Sequence, residues 1–223
     1  MAASLTQHPA VEIFGVALHA SVPGALGVSL LLVVVARFAI ARTAQDSRVA
    51  VAAETIVTLI ERELAGIFDE DPRPYLPLLA TLFLFLLVAN LSAVVPGFLP
   101  PTEFLETAAA LAVVVFASVQ IAGVRALGFG GYLRHFARPN ALLLPFHVAA
   151  EITRTLSLAV RLFGNMMSHG LVLALVASIA GLLVPIPFLA LGLLIGAVQA
   201  YIFTILAAVY IAAAISKPKG AAT

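Results

Sequence analysis

The sequence predicts an all-α integral membrane protein with five membrane helices, the last two long and strongly tilted, plus an amphipathic surface helix. Three observations predict it. Hydrophobic residues make up 62% of the 223 residues and charged residues 10%, whereas a soluble domain runs at about 45–50% apolar and about 25% charged. The apolar residues lie in unbroken runs of about the 20 residues that a spanning helix needs, without the alternation of a barrel strand. The basic residues gather in alternate connections between those runs. Other classes fall away on the same figures. The hydrophobicity excludes disorder, and a formal charge of +1 leaves no basic footprint for nucleic acid. The chain has no cysteine, which excludes disulfides and thiolate metal sites.

The elements follow in order within one membrane domain, 1–223. Residues 1–21 read as an external tail; without Lys or Arg they do not form the positive start of a signal peptide. The first span lies near 22–41, entered at Pro23-Gly24. Residues 43–72 mix Arg48, Glu54, Glu61, Arg62 and Glu63 with Val51, Ile56, Val57, Leu59, Ile60 and Leu64, the pattern of a helix lying on the cytoplasmic membrane surface. The second span, near 76–95, stops at Pro96-Gly97, and the third lies near 104–124. Residues 125–140, with Arg125, Arg134, His135 and Arg138, read as a basic loop ending at Pro139-Asn140. A fourth helix over about 146–183, broken by Pro185 and Pro187, and a fifth over about 188–215 form a hairpin across 146–216. Both are longer than a bilayer core of about 30 Å requires, so both must tilt.

Orientation follows from charge. Ten of the 12 Lys and Arg residues lie at or beyond the ends of spans one, three and five; none lies in the N-terminal tail, the 97–103 loop or the 183–187 turn. The positive-inside rule puts the N-terminus outside and the C-terminus in the cytoplasm, as an odd span count demands.

One charge has no business in this pattern. Between Thr155 and Ser216 the sole formal charge is Arg161. Arginine keeps its proton in proteins, and at mid-membrane it costs about 3 kcal/mol on insertion scales and over 10 in simulations. It therefore faces an anion or a water-filled cavity. Glu151 lies about 15 Å away along a helix and has Arg154 as its own i,i+3 partner. The simplest source of the missing anion is another chain.

Helical spacing sets His147, Glu151, Arg154, Arg161, Asn165 and Ser168 along one flank of the fourth helix, with Ser157 and His169 beside it. Such a stripe lines a cavity or an interface; Ser157 and Ser168 also suit plain interhelical hydrogen bonding. In the last helix Gly192-Leu-Leu-Ile-Gly196 with Ala200 permits close approach, and Gln199 is its one amide, able to bond a guanidinium or water. Glu103 and Glu106 are the acids of the third span's outer entry.

These residues bring a family into view. Ser157-Leu-Ala-Val-Arg161-Leu-Phe-Gly-Asn165-Met resembles the signature of subunit a of the F-type ATP synthase, and Gln199-Ala-Tyr-Ile-Phe-Thr-Ile-Leu-Ala-Ala-Val-Tyr210 resembles that family's closing helix. Asn90-Leu-Ser-Ala-Val-Val-Pro96-Gly and Pro101-Thr102-Glu103 with Thr107 are similar to its middle section. The resemblance covers about 25–216. It implies a bacterial inner-membrane subunit, not catalytic alone and needing no cofactor or metal, that couples transmembrane H⁺ or Na⁺ flow to rotation of a ring of c subunits. Its implied partners are the c-ring carboxylates, the stator subunit b and lipid. By the resemblance Arg161 faces the ring carboxylate with Gln199 beside it. Helix direction then sets Asn165 and His169 outward of Arg161 and Glu151, Arg154 and Ser157 inward, and leaves His169, Glu103, Glu106 or simply water for the outer pathway.

The match has gaps. Many proton-driven members carry a Glu and a His in the outer half-channel where this chain has Gly170 and Gly192, and His169 is one place off, about 100° round the helix. In this the chain resembles the divergent second-copy type found in some bacteria. The competing reading is a self-contained ion channel or secondary transporter, which needs its own midplane acids or an internal repeat of broken helices; the sequence offers neither.

Overall fold

The computed structural model describes residues 9–13, 16–19, 21–42, 48–68, 71–95, 98–136, 144–180 and 184–216. Pro96-Gly97, Arg138 and Pro139-Asn140, used above, lie outside them, as do Lys217 and Lys219, the basic residues counted beyond span five. Six α-helices carry the fold: α1 (Ser21–Arg42), α2 (Arg48–Ala65), α3 (Leu76–Leu91), α4 (Leu105–Phe136), α5 (Leu144–Ala180) and α6 (Pro185–Ile215). All but α2 are long and apolar enough to cross a bilayer. Within the stretch read as an external tail, β1 (Pro9–Ile13) pairs antiparallel with β2 (Val16–His19), with Glu12 opposite Ala17.

The four helices α3 to α6 enclose the core. Leu79, Leu82 and Leu86 of α3, Ala112 and Val115 of α4, Leu158 and Leu162 of α5, and Phe203, Ala207 and Ile211 of α6 are buried together. The small residues matter because apolar burial drives little between helices in lipid; close backbone approach drives more. Outside this core, α1 is mostly exposed, and Leu26, Leu30 and Val33 form part of its outer face. The amphipathic α2 lays Leu64 into the core and is tied to α6 by Tyr201 Oη donating to Glu63 Oε2 at 2.9 Å.

Two sequence expectations change. The basic segment over 125–140 is not a loop from its start: α4 continues to Phe136, broken at Gly128. Gly128 has φ 70° and ψ 159°, a conformation essentially restricted to glycine. The break turns Tyr132 back onto Gly123, where its ring fills the space of the missing side chain, and Tyr132 Oη donates to Gln120 Oε1 at 2.5 Å. The second change is that Pro185 and Pro187 start α6 rather than keep the chain out of helix. Proline suits a first helical turn, where its missing N–H has no partner to lose.

At 37 and 31 residues, α5 and α6 run roughly 55 Å and 46 Å. Both exceed the hydrocarbon thickness and must cross at a slant or overhang it.

A buried polar lock joins α3, α6 and the 3-10 turn Pro101–Glu103. Thr102 Oγ1 donates to Asn90 Oδ1 at 2.8 Å, and Asn90 Nδ2 donates to Gly196 O at 2.8 Å. Both side chains are buried. The lock fixes the turn against the hairpin and so sets the place of Glu103.

Candidate ion-translocation site

The antiparallel hairpin of α5 and α6 carries two polar groups at opposite ends, with Arg161 between them. Arg161 is exposed on the outer face of α5, flanked by exposed Leu156 and Val160. It makes no ion pair or hydrogen bond with another described residue. The charge that the sequence left without a partner therefore stays without one among the described residues.

Gln199 is 2% exposed and faces α5. Its Oε1 accepts from Asn165 Nδ2 at 2.7 Å, one turn beyond Arg161, while its Nε2 is buried with no acceptor among the described residues. Gln199, read from the sequence as able to bond a guanidinium or water, here accepts from Asn165. The reason is geometric: Gln199 points into the helix interface, and Arg161 points out of it.

Toward the N-terminal end of α5, Arg154 Nη1 donates to Glu151 Oε2 at 3.1 Å, and its guanidinium lies 4.7 Å from the centre of the Tyr210 ring. The i,i+3 spacing read from the sequence makes this pair possible. A cavity of about 200 Å³ opens beside it, lined by Val119, Tyr132, His147, Glu151, Arg154 and Tyr210. Its walls mix acid, base and phenols, so water has several partners there. Tyr132 arrives through the Gly128 break, a contribution that sequence spacing did not foresee; the Gly-Phe-Gly-Gly run at 128–131 was its one signal. Ser157 is exposed between Arg154 and Arg161, and Ser168 is exposed farther along α5.

Toward the other end lie His169, Gly170, Gly192 and the Pro101–Glu103 turn. A Cβ built on Gly170 would stand 2.7 Å from Glu103 Oε1, and one on Gly192 would collide with the His169 ring. Glu103 and His169 thus fill the two places left open by the glycines that break the family pattern. Burial pushes the Glu103 carboxyl up to about 7, because desolvation disfavours the charged form. Glu106 is engaged elsewhere, accepting from Ser21 Oγ at 3.1 Å. Among the described residues no cluster of His, Asp and Glu suits a metal ion.

Residues 22–212 match the family described as ATP synthase A chain. The chain is 52% identical over 186 residues to "ATP synthase subunit a 2" of Bradyrhizobium sp. (strain BTAi1), an alignment covering 82% of this chain and 83% of that one. It is 51% identical to "ATP synthase subunit a" of Albidiferax ferrireducens, with 74% and 73% covered, and 51% identical to "ATP synthase subunit a 1" of Chlorobaculum parvum, with 72% and 71% covered.

Proposed function

The chain belongs to the ATP synthase A chain family, and from that membership we propose that it is the ion-conducting stator subunit of a bacterial ATP synthase. It couples inward flow of H⁺ or Na⁺ to rotation of a c-subunit ring and hydrolyses no ATP by itself. One observation carries the reading: a permanently charged, exposed Arg161 in the middle of a long apolar helix, with no partner among the described residues. A desolvated guanidinium needs a counter-charge, and a carboxylate on a passing ring subunit supplies it. The apolar face around Arg161, with Leu156 and Val160 exposed, seats the ring; subunit b and lipid cover other faces.

The two polar groups are then two offset half-channels. Glu151, Arg154 and Ser157, with the cavity beside them, open to the cytoplasm; Asn165, His169 and Glu103 open outward. Between them Arg161 displaces the ion from each arriving carboxylate and, by repulsion, bars a cation from passing straight through. The Asn165–Gln199 bond holds α5 to α6 one turn from Arg161 and fixes its level against the ring.

Two labelling experiments test this arrangement on a chain that has no cysteine of its own. With the N-terminus outside and the C-terminus in the cytoplasm, an impermeant reagent on intact cells is expected to label a cysteine placed at Ala2 and to spare one placed at Ala222. Labelling of both from the same side overturns this topology and the half-channel assignment with it. In the assembled complex, cysteines replacing Glu151 and Ser157 are expected to react with a small aqueous thiol reagent supplied from the cytoplasmic side. If both stay inert in an active complex, that flank is helix packing and not a water path.

A further inference from the structure

We infer that the apolar slot between α2, α3 and α6 is a lipid site: it takes one acyl chain of a phosphatidylethanolamine, whose primary ammonium Glu63 receives at the rim. This goes beyond the ion-translocation reading and uses none of its residues.

The slot has the size of a ligand site. It encloses about 420 Å³, within the roughly 300–1,000 Å³ of small-molecule pockets. Leu59 and Ile60 of α2, Phe83 and Leu87 of α3 and Ile205 of α6 wall it. Thr204 also borders it, but its Oγ1 donates to Ala200 O of its own helix at 2.9 Å and asks nothing of a ligand. Both α3 and α6 are long and apolar enough to cross a bilayer. The open edge between them and α2, where Leu59 is 55% and Tyr201 45% exposed, therefore meets lipid. Water does not suit the slot, because only the rim offers the polar partners that a bound water needs. Left empty, the walls would lose their contacts on one side. A lipid tail fills it.

The tail alone does not make a site. Lipid is as apolar as leucine, so a chain gains little by leaving the bulk bilayer for the slot. Selection comes from the rim. Glu63 Oε2 accepts from Tyr201 Oη at 2.9 Å, which fixes the carboxylate at the edge of the slot. Among the described residues no basic group pairs with it: Arg73 serves Glu61 and Asp71, and Arg154 serves Glu151. Its strongest complement is a donor of opposite charge. The primary ammonium of phosphatidylethanolamine brings both the charge and the N–H groups. The headgroup of phosphatidylglycerol carries only the negative phosphate and is repelled.

The test uses the assembled synthase in vesicles that contain both lipids. A photoreactive diazirine is placed on the tail of either a phosphatidylethanolamine or a phosphatidylglycerol probe, and labelled positions are read by peptide mass spectrometry. The ethanolamine probe is expected to label Leu59, Leu87 and Ile205 at least about twice as strongly as the glycerol probe, a conservative figure for one exposed charge pair. Glu63→Gln keeps an acceptor for Tyr201 and removes only the charge, so the preference is expected to vanish. Leu87→Trp, which fills the slot, is expected to lower ethanolamine-probe labelling of Leu59 and Ile205 by at least about twofold, since a packed slot resists further volume. Leu30→Trp, on the exposed face of α1, should leave that labelling unchanged. A preference below about twofold in the wild type, or one that survives Glu63→Gln, overturns the inference. So do unchanged labelling in an assembled Leu87→Trp complex and an unlabelled slot, the latter being the outcome if a neighbouring subunit's helix covers it. Should Leu87→Trp fail to assemble, the two probes on the wild type and on Glu63→Gln still decide. None of these readouts is ATP synthesis, so failure here leaves the ion-translocation reading standing.

Discussion

Arg161→Ala is expected to abolish ion-driven ATP synthesis, by at least about a hundredfold, while the subunit still inserts and assembles. The size follows from what the proposed mechanism loses: one fixed charge that it aims at the ring carboxylate in a low-dielectric site, the kind of loss that costs about 10² to 10³ in rate. Assembly survives because Arg161 holds none of the described residues. It is exposed on α5 and bonds to no described residue, and taking a charge out of lipid relieves the helix rather than straining it. On the proposed arrangement the barrier between the half-channels also falls, so vesicles carrying the variant should dissipate an imposed gradient faster than wild-type vesicles. The measurement is ATP synthesis on an imposed gradient together with passive decay of that gradient, normalised to the amount of assembled complex.

Arg161→Lys sharpens the test. Lysine keeps the charge but offers a compact ammonium in place of a wide planar fork with five donors. Synthesis is expected to fall nearly as far, while the passive leak stays small because the positive charge remains. Near-normal synthesis in either variant, with normal assembly, would remove the mechanism.

Reading the sequence found the features that rest on composition and periodicity. The apolar runs near 22–41 and 76–95 became α1 and α3 within a few residues, because length and hydropathy decide which segments enter a bilayer. Arg161 announced itself by its isolation in an uncharged stretch, and the i,i+3 spacing of Glu151 and Arg154 gave their ion pair. What stayed hidden depends on backbone details or on pairs distant in sequence. The helical continuation of α4 past Gly128 needs a φ of 70° that no periodicity reports. Gln199 read as able to bond a guanidinium or water; its bond to Asn165 was not foreseen, because residue spacing alone cannot choose between partners one turn apart. Glu103 read as an acid of the outer entry; its seat on Gly170 follows from the Thr102–Asn90–Gly196 lock, which joins residues from three elements.

That lock gives the second large effect: Gly196→Val is expected to destabilise the whole bundle and to remove most of the assembled subunit from the membrane. A Cβ at Gly196 would stand 2.9 Å from the Cβ of Asn90. The obstructing atom is next to the α3 backbone and cannot swing away, so α3 and α6 must part. Overpacking of this kind costs about 1–3 kcal/mol. Parting the helices also stretches the 2.8 Å bond from Asn90 Nδ2 to Gly196 O, leaving buried polar groups unsatisfied at about 1–3 kcal/mol. The sum, roughly 2–6 kcal/mol, is a large share of the 5–15 kcal/mol that holds a typical protein folded. Gly27→Val on α1 is the matched control, since nothing lies within 4 Å of a Cβ there. Thermal aggregation of the detergent-extracted complex should begin at a clearly lower temperature for Gly196→Val and near the wild-type temperature for Gly27→Val. In whatever complex survives, synthesis per assembled subunit should also fall, because a loosened Asn90 releases Thr102 and with it the turn that carries Glu103. Equal stability of the two variants would mean that α3 and α6 are not held together at Gly196, and the placement of Glu103 over Gly170 would lose its support.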